Sequence, residues 1–276
     1  MYQVTSDDVE RYWEKGYWIS PKLIDDDRIE RLRRAVDRLF AGERDGHGAY
    51  FEGKLNVPEN PSALRRVVNA WWVNDDVRDM VLDAGLGRIC AGLMKVAGVR
   101  LWSDQVIIKP GSTGGSSTPA AANVGWHQDF AYWRIPSTTN MITAWIALQD
   151  TDLNNGGMRT LVGSHRWGHI KDSDAFFDQD LEAQRERFSS KVDGPWIDEP
   201  CLLKAGQVSF HHALCFHGSG ENKTNRPRLS VVGHYMPEGT TFQPCEKVTT
   251  QLRMLGPRPT PGQPIAGDNF PTVYPQ

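Results

Sequence analysis

The chain has 276 residues, 39% hydrophobic and 10% aromatic, which suits one large domain with an extensive core. Its net charge of -3, with acidic and basic residues interspersed, argues against a nucleic-acid partner or a membrane surface. Four separated cysteines, an acidic polar start and no membrane-length apolar run predict reduced thiols in a cytoplasmic protein. We therefore expect a small-molecule partner and a monomer or homodimer.

The N-terminal part of the sequence is predicted to be mainly helical. Thr5 begins a first helix that ends at Gly16, and a run of three aspartates from Asp25 begins a second that ends at Gly42. After a polar loop, helical patterns are expected to resume over residues 61–96.

From Val99 onward the pattern is typical of β-structure. Residues 141–148 are apolar on both faces, which predicts a central strand. Two segments interrupt the strands: a Gly/Ser/Ala-rich loop at 111–123 and a charged, partly helical insertion at 171–195. Each is either a lid over a pocket or a simpler feature, a solvated linker for the first and a dimer contact for the second.

Short strands after a helical start predict a mainly β fold with a helical annex. The core is expected to be a double-sheet jelly roll of the cupin-like kind, with the N-terminal helices packed on one sheet. The whole chain is interpreted as a single domain. It would comprise a helical part at about 1–98, a jelly-roll core at about 99–240 and a surface-wrapping tail at 241–276.

The only His-x-Asp of the sequence, His127 and Asp129, lies in a region that is predicted to be a strand. Side chains two apart on a strand share a face about 6–7 Å apart, so an imidazole and a carboxylate can converge on one metal ion. A second histidine would complete a set of two histidines and one carboxylate, which leaves coordination positions open and is typical of non-haem Fe(II) oxygenases.

His217 is the favoured second histidine because Gly218 and Gly220 mark a strand edge that a ligand can approach closely. His211, His212 and His234 compete with it, and at most one of the consecutive pair can face an interior. Arg226 and Arg228 follow, and a buried arginine there would match the carboxylate of an acid cosubstrate. The residues alone leave these two arginines nearly tied.

The ordered motifs resemble the phytanoyl-CoA dioxygenase family. They are Trp126-His127-Gln128-Asp129, the strand at 143–148, Asn155-Gly156-Gly157 with Gly163-Ser164-His165, Lys204-Ala205-Gly206, His217-Gly218-Ser219-Gly220-Glu221-Asn222 and Arg226-Pro227-Arg228. The N-terminal helix, glycine, strand and helix are also similar to the family, so the resemblance spans nearly the whole chain.

The resemblance implies a double-stranded β-helix and the cofactors Fe(II), 2-oxoglutarate and O2. By position, His127, Asp129 and His217 match the iron ligands, and Arg228 matches the arginine that binds the distal carboxylate of 2-oxoglutarate, which breaks the tie with Arg226. Further positions match cosubstrate or substrate contacts: Ser219, Trp145, Gln105, Lys109 and Asn123. Because related halogenases have a small residue in place of the carboxylate, Asp129 favours hydroxylation or another oxidation over halogenation.

The implied function is oxidation of a C–H bond in a small organic molecule, with release of succinate and CO2. First expectations for substrate contacts are Phe130, Tyr132, Trp133 and Arg159, and the many aromatic residues indicate a partly apolar molecule, for example a secondary metabolite. The alternatives are a non-redox cupin-like metal enzyme that needs no 2-oxoglutarate and a non-catalytic jelly-roll binding protein.

Overall fold

The computed structural model describes residues 2–46, 48–50, 63–112, 122–192, 194–246 and 249–275. Its helices are α1 (Ser6–Lys15), α2 (Asp26–Phe40), α3 (Asp75–Val81), α4 (Ala84–Met94), α5 (Phe130–Trp133), α6 (Leu181–Ser189) and α7 (Thr250–Met254). Its strands are β1 (Tyr17–Ile19), β2 (Arg65–Val68), β3 (Val99–Lys109), β4 (Val124–His127), β5 (Ile142–Ala147), β6 (Met158–Leu161), β7 (Asp198–Pro200), β8 (Val208–His212), β9 (His217–Ser219), β10 (Arg228–Pro237) and β11 (Thr272–Tyr274).

The first two helices begin and end where the sequence predicts. The Thr5 hydroxyl accepts a hydrogen bond from the Asp8 amide, and the Asp8 carboxylate accepts one from the Thr5 amide, which is a capping box. Gly16 ends α1 with φ of 83°, in the left-handed region that favours glycine. Asp25 caps α2, whose apolar stripe is buried against the larger sheet.

Two antiparallel sheets form the core. The larger has the order β1-β8-β5-β10-β3-β11, with β2 also paired to β3, and the smaller has the order β4-β9-β6-β7. β5 lies between β8 and β10 with every residue buried, which confirms the central strand predicted from its two apolar faces. One face of the larger sheet packs against the N-terminal helices, and the other faces the smaller sheet across a cavity. This curled double-sheet arrangement is a double-stranded β-helix, as expected.

Two segments depart from the expected organisation. Residues 65–68 were expected to be helical, but they form the edge strand β2, since Val67 and Val68 are β-branched and β3 offers a free edge. The segment after residue 240 packs more deeply than a surface wrap. Its strand β11 pairs with β3, and Phe270 and Val273 are fully buried.

Most of the 111–123 loop, residues 113–121, lies outside the described residues.

The buried carboxylate of Asp104 gives a prediction about stability. It accepts hydrogen bonds from the backbone amides of Ala70 and Trp71, and burial raises its pKa to about 7. Between the unfolded pKa near 4 and about 7, the folded state holds a proton that the unfolded chain has lost, so stability falls as pH rises through this window. The free energy of unfolding of Asp104→Asn, measured relative to that of wild type, should therefore rise by about 2–3 kcal/mol between pH 5 and pH 8.

Urea unfolding of both proteins at the two pH values measures this difference. Any pH-independent cost of losing one accepted hydrogen bond cancels in the comparison. Identical pH dependence in the two proteins would show that Asp104 is ionised throughout.

Candidate metal centre and cavity

The two histidines and the aspartate of the sequence motif meet in space. His127 Nε2 lies 3.6 Å from Asp129 Oδ1, and His217 Nε2 lies 3.8 Å from the same oxygen. One ligand atom from each residue lies within 4.8 Å of the others, and all three side chains are buried. Two metal–ligand bonds of about 2.1 Å span up to about 4.2 Å, so the three groups can hold one ion with small adjustments. Among the described residues, no other group of histidine, cysteine and acidic side chains has this geometry.

Both imidazoles present the correct nitrogen to an ion. His127 Nδ1 lies 2.7 Å from the carbonyl oxygen of Gly125, and His217 Nδ1 lies 3.0 Å from that of Cys215. Because a carbonyl only accepts, each Nδ1 carries the hydrogen and each Nε2 keeps its lone pair for the metal. The two strands β4 and β9 pair with His127 directly opposite His217, which brings the two rings together.

The local structure of the motif differs from the expected strand. β4 ends at His127, and Asp129 has helical backbone angles (φ -58°, ψ -40°) at the start of α5. The shared strand face is therefore wrong as the reason why the two side chains converge. The chain turns into a helical segment, and that turn aims the carboxylate at the two imidazoles.

Electrostatics keep Asp129 ionised. Burial alone would raise the pKa of this carboxyl, but the imidazoles of His217, His127 and His211 outweigh burial and hold the pKa well below its usual range. Burial, with the neighbouring rings of His127 and His211, lowers the pKa of His217. A carboxylate beside a neutral imidazole is the protonation state that metal binding requires.

A row of polar side chains across the larger sheet holds the second oxygen of Asp129. His211, Thr143 and His234 lie opposite one another on β8, β5 and β10. The Thr143 hydroxyl lies 2.6 Å from Asp129 Oδ2 and 2.9 Å from His234 Nδ1. The carboxylate can only accept, so the hydroxyl donates to it and accepts from His234 Nδ1–H.

The same row continues to the wall of the cavity. With its hydrogen on Nδ1, His234 accepts at Nε2 from the side-chain amide of Gln105, 3.3 Å away. Burial lowers the pKa of His234 to about 4, which agrees with a neutral ring. The relay therefore runs from Gln105 through His234 and Thr143 to Asp129, and it leaves Asp129 Oδ1 for the metal.

This relay predicts the effect of one nearly isosteric substitution. Thr143→Val removes the donor to Asp129 and leaves His234 Nδ1–H without its acceptor, so affinity for Mn(II) should fall by about 10- to 100-fold. Titration with Mn(II) measures the change, and Thr143→Ser is the matched control that keeps the hydroxyl. Equal affinities in the valine and serine variants would contradict the relay.

A cavity of about 360 Å³ opens directly onto the three groups, and residues of both sheets line it. Among the residues expected from the sequence, Gln105, Tyr132, Trp133, Trp145, Ser219 and Arg228 line this cavity together with His127, Asp129 and His217. The structure thus brings together most of the predicted site in one enclosure.

Arg228 is buried in this cavity and is held over the ring of Trp145, with 4.9 Å between its guanidinium carbon and the ring centroid. Its Nε and Nη1 are buried without a hydrogen-bond partner, and no carboxylate among the described residues forms an ion pair with it. Burial lowers the pKa of Arg228 to about 10. Arg226, the other candidate, is exposed.

Lys109 lies opposite Arg228 in the β3–β10 pairing and is fully buried beside the cavity. Its Nζ donates to Ser219 Oγ at 2.6 Å and to the Gly220 carbonyl at 2.5 Å. Burial, reinforced by the charge of Arg228, holds the pKa of Lys109 well below its usual value. Because Ser219 Oγ accepts from the lysine, its own hydrogen remains to be donated into the cavity. Arg228 and Ser219 thus direct N–H and O–H donors into the same cavity, and Lys109 orients the Ser219 hydroxyl.

Besides Lys109, which lies behind Ser219, three predicted residues do not line the cavity. The Asn123 side chain donates to the Gln179 carbonyl and so joins β4 to the 171–195 insertion. Phe130 packs in a core cluster with Trp133. Arg159 pairs with Asp198 on the face of β6 opposite to Met158, which lines the cavity. None of these three is positioned as a direct contact.

The wall residues that were not predicted from the sequence include Arg66, Thr143, Phe176 and Gln251. It also left His211 and His234 among the competitors for the metal, whereas both line the cavity beside the carboxylate. His211 faces the cavity and His212 faces Tyr12 and Trp13, as expected for consecutive strand residues. Alternation along β8 was the signal for that pair. The placement of Arg66, Thr143 and His234 depends on strand pairing, whereas Phe176 and Gln251 lie outside the strands.

The 171–195 insertion supplies part of the cavity wall. The Phe176 ring lies 5.1 Å from the His127 ring, centroid to centroid. Gly125 permits this approach because a side chain there would collide with the Ala175 carbonyl. The insertion thus forms part of the cavity wall, and both interpretations of it, a lid or a dimer contact, stay predictions.

Comparisons with known proteins agree with this geometry. A profile of the phytanoyl-CoA dioxygenase family matches residues 12–230. A probable alpha-ketoglutarate-dependent hypophosphite dioxygenase of Stutzerimonas stutzeri is 26% identical over 243 residues, covering 85% of this chain and 79% of that protein. The ectoine dioxygenase of Streptomyces avermitilis is 22% identical over 277 residues, covering 92% and 86%.

Solved structures share the fold. The alpha-ketoglutarate-dependent carbocyclase SnoK from nogalamycin biosynthesis superposes with a TM-score of 0.73 at 23% identity, covering 98% of this chain and 96% of that one. The epimerase SnoN, in a complex with Fe3+, alpha ketoglutarate and nogalamycin RO, has a TM-score of 0.70 at 24% identity, with 97% of each chain covered.

Proposed function

The chain belongs to the phytanoyl-CoA dioxygenase family, and from this membership and the cavity we propose that it is a non-haem Fe(II)- and 2-oxoglutarate-dependent dioxygenase. It would oxidise a C–H bond of a small organic molecule, for example one of secondary metabolism. One observation carries the proposal most strongly. A two-histidine, one-carboxylate set and a buried arginine with unpartnered nitrogens share a single cavity.

The residues present fit both expected groups. His127, Asp129 and His217 would hold Fe(II) and leave positions open on the cavity side. Arg228 and Ser219 would hold the distal carboxylate of 2-oxoglutarate, since they offer a guanidinium and a hydroxyl hydrogen without protein acceptors. The pairing offsets the cost of a buried arginine that lacks an anion.

Bound Fe(II), 2-oxoglutarate and O2 would supply the oxidising chemistry, with succinate and CO2 as the products of the cosubstrate. The chain's own residues orient the reactants and exclude water. The Trp145 ring packs against the Arg228 guanidinium. Apolar side chains line the cavity beside these two residues, namely those of Met158, Val232 and Ile107. The relay behind Asp129 fixes which of its oxygens points to the metal. The rings of Phe176 and Tyr132 lie edge-on to the His127 ring.

Succinate release from 2-oxoglutarate in the presence of Fe(II) and O2 tests the proposal. Incubation with metabolite extracts, followed by mass spectrometry for gain of one oxygen atom or loss of two hydrogen atoms, would identify the substrate. A protein that binds Fe(II) but neither binds nor consumes 2-oxoglutarate would instead be a non-redox cupin-like metal enzyme. One that binds neither would be a binding protein on the same fold.

No helix among the described residues has both the length and the apolar character needed to cross a membrane. The cytoplasmic location and the monomeric or dimeric state remain predictions. Size-exclusion chromatography with light scattering distinguishes the two oligomeric states.

A further inference from the structure

The short helix α7 forms part of one end of the cavity. The Thr249 hydroxyl caps this helix by accepting a hydrogen bond from the Leu252 amide at 3.2 Å. Met254 is buried in a core cluster with Trp133, and Leu252 packs against the same cluster. Because Trp133 also lines the cavity, this packing holds α7 at the cavity and places the Gln251 side chain in its wall.

This end of the cavity is remote from the proposed cosubstrate site. The ring of Trp133 lies 5.0 Å from that of His234, centroid to centroid. His234 and Arg228 both line the cavity from β10, and their separation of six residues corresponds to about 20 Å along a strand. The relay joins His234 to Asp129, so the metal position is near this end. A ligand beside Trp133 would therefore reach the metal position while 2-oxoglutarate occupies the site at Arg228.

Two neutral polar side chains at this end have no hydrogen-bond partner in the part of the chain that the structure describes. Gln251 lines the cavity and is only 7% exposed, yet its carboxamide makes no hydrogen bond to any described residue. Ser103 lies opposite His234 in the β3–β10 pairing and is 3% exposed, and its hydroxyl is likewise unpartnered among those residues. Since buried amides and hydroxyls are nearly always hydrogen-bonded, these two groups are available to a ligand in the cavity.

The chemistry of Gln251 indicates which ligand group fits. A carboxamide has an N–H donor and a carbonyl acceptor side by side, so it pairs in both directions with a group that carries the same two functions. A primary amide or a lactam has this arrangement, whereas a carboxylate only accepts and a ketone lacks the donor. The rings of Trp133 and Tyr132 give apolar surface at this part of the cavity.

We propose that Gln251 determines substrate specificity by binding an amide or lactam group of the organic substrate, while an apolar part of the same molecule lies against Trp133. The inference rests on the proposed function, because it places the substrate in the cavity beside the metal. Gln251 lies beyond residue 230, where the family match ends, so the residues that define the family do not include it.

Matched pairs of small aromatic molecules test the proposal. 2-Naphthamide and 2-acetylnaphthalene, and benzamide and acetophenone, have nearly the same shapes, but a methyl group in each ketone replaces the amide nitrogen. Each compound would be titrated by calorimetry into the protein loaded with Mn(II) and saturating 2-oxoglutarate, without O2. Wild type should bind each amide at least about fivefold more tightly than its ketone, because the ketone leaves the Gln251 carbonyl unpaired.

Gln251→Met keeps the length of the side chain and removes both hydrogen-bonding groups, so it should bind amide and ketone with affinities within about twofold of each other. Arg253→Met is the matched control. Arg253 lies two residues farther along α7, is exposed and does not line the cavity. Residues two apart on a helix point to nearly opposite sides, so this variant should keep the amide preference of wild type.

Three outcomes would overturn the inference: equal binding of amides and ketones to wild type, no binding of any of the four compounds, or an amide preference that survives in Gln251→Met. Affinity for 2-oxoglutarate, measured in the same preparations, separates this result from the proposed function. If the cosubstrate binds to wild type and the amide preference is absent, only the inference about Gln251 fails. If 2-oxoglutarate does not bind to wild type, the proposed function itself fails.

Discussion

Asp129→Ala is expected to abolish metal binding and succinate release together. The substitution removes one of three proposed ligands and also the negative charge that balances the ion, so affinity for Fe(II) or Mn(II) should fall by more than about 100-fold. His127→Ala and His217→Ala should have the same effect, because each Nε2 lone pair is directed at the same position. Metal content after dialysis and succinate release measure the two losses.

His169→Ala is the control for these variants. His169 is an exposed histidine outside the cavity, so its removal should leave metal content and turnover unchanged. Circular dichroism and thermal unfolding show whether each variant is folded. Retained turnover in folded His127→Ala or Asp129→Ala protein would contradict the assignment of the metal centre.

Arg228→Met is expected to weaken 2-oxoglutarate binding by at least about 30-fold while metal affinity stays close to that of wild type. Removing one partner of a buried, hydrogen-bonded charge pair costs about 2–5 kcal/mol, and this loss falls on the cosubstrate because Arg228 has no carboxylate partner in the described protein. Equilibrium titration of 2-oxoglutarate without O2 measures the effect directly.

The exposed Arg226 supplies a matched control two residues away. Arg226→Met removes the same charge from the same segment, yet its side chain lies outside the cavity, so 2-oxoglutarate affinity should remain within about twofold of wild type. Equal losses in the two variants would mean that overall charge, and not the buried guanidinium, governs binding.

The parts of the fold that could be predicted are those that depend on residues close together in the sequence. The capping box at Thr5, the left-handed end at Gly16 and the doubly apolar central strand were all readable, because each depends on residues close together in sequence. The edge strand β2 was not readable. Its four residues are extended because β3 provides hydrogen-bond partners that lie about 40 residues farther along the chain.

The candidate site divides in the same way. The His-x-Asp pair and its partner histidine could be found because the chemistry requires those residue types in a recognisable order. Thr143 and His234 could not, since the contacts of Thr143 with Asp129 and with His234 depend on the register of neighbouring strands. The placement of Phe176 depends on how an insertion folds back over β4. Arg159 points away from the cavity because the pairing of β6 with β7 and β9 determines which of its side chains face inward.

A structure from crystals grown without O2, in the presence of Fe(II) and 2-oxoglutarate, tests the central claim most directly. The account predicts one iron peak in the anomalous difference map, bound by His127 Nε2, Asp129 Oδ1 and His217 Nε2, with the distal carboxylate of 2-oxoglutarate on Arg228. An iron peak away from these three atoms, or 2-oxoglutarate bound without contact to Arg228, would contradict it.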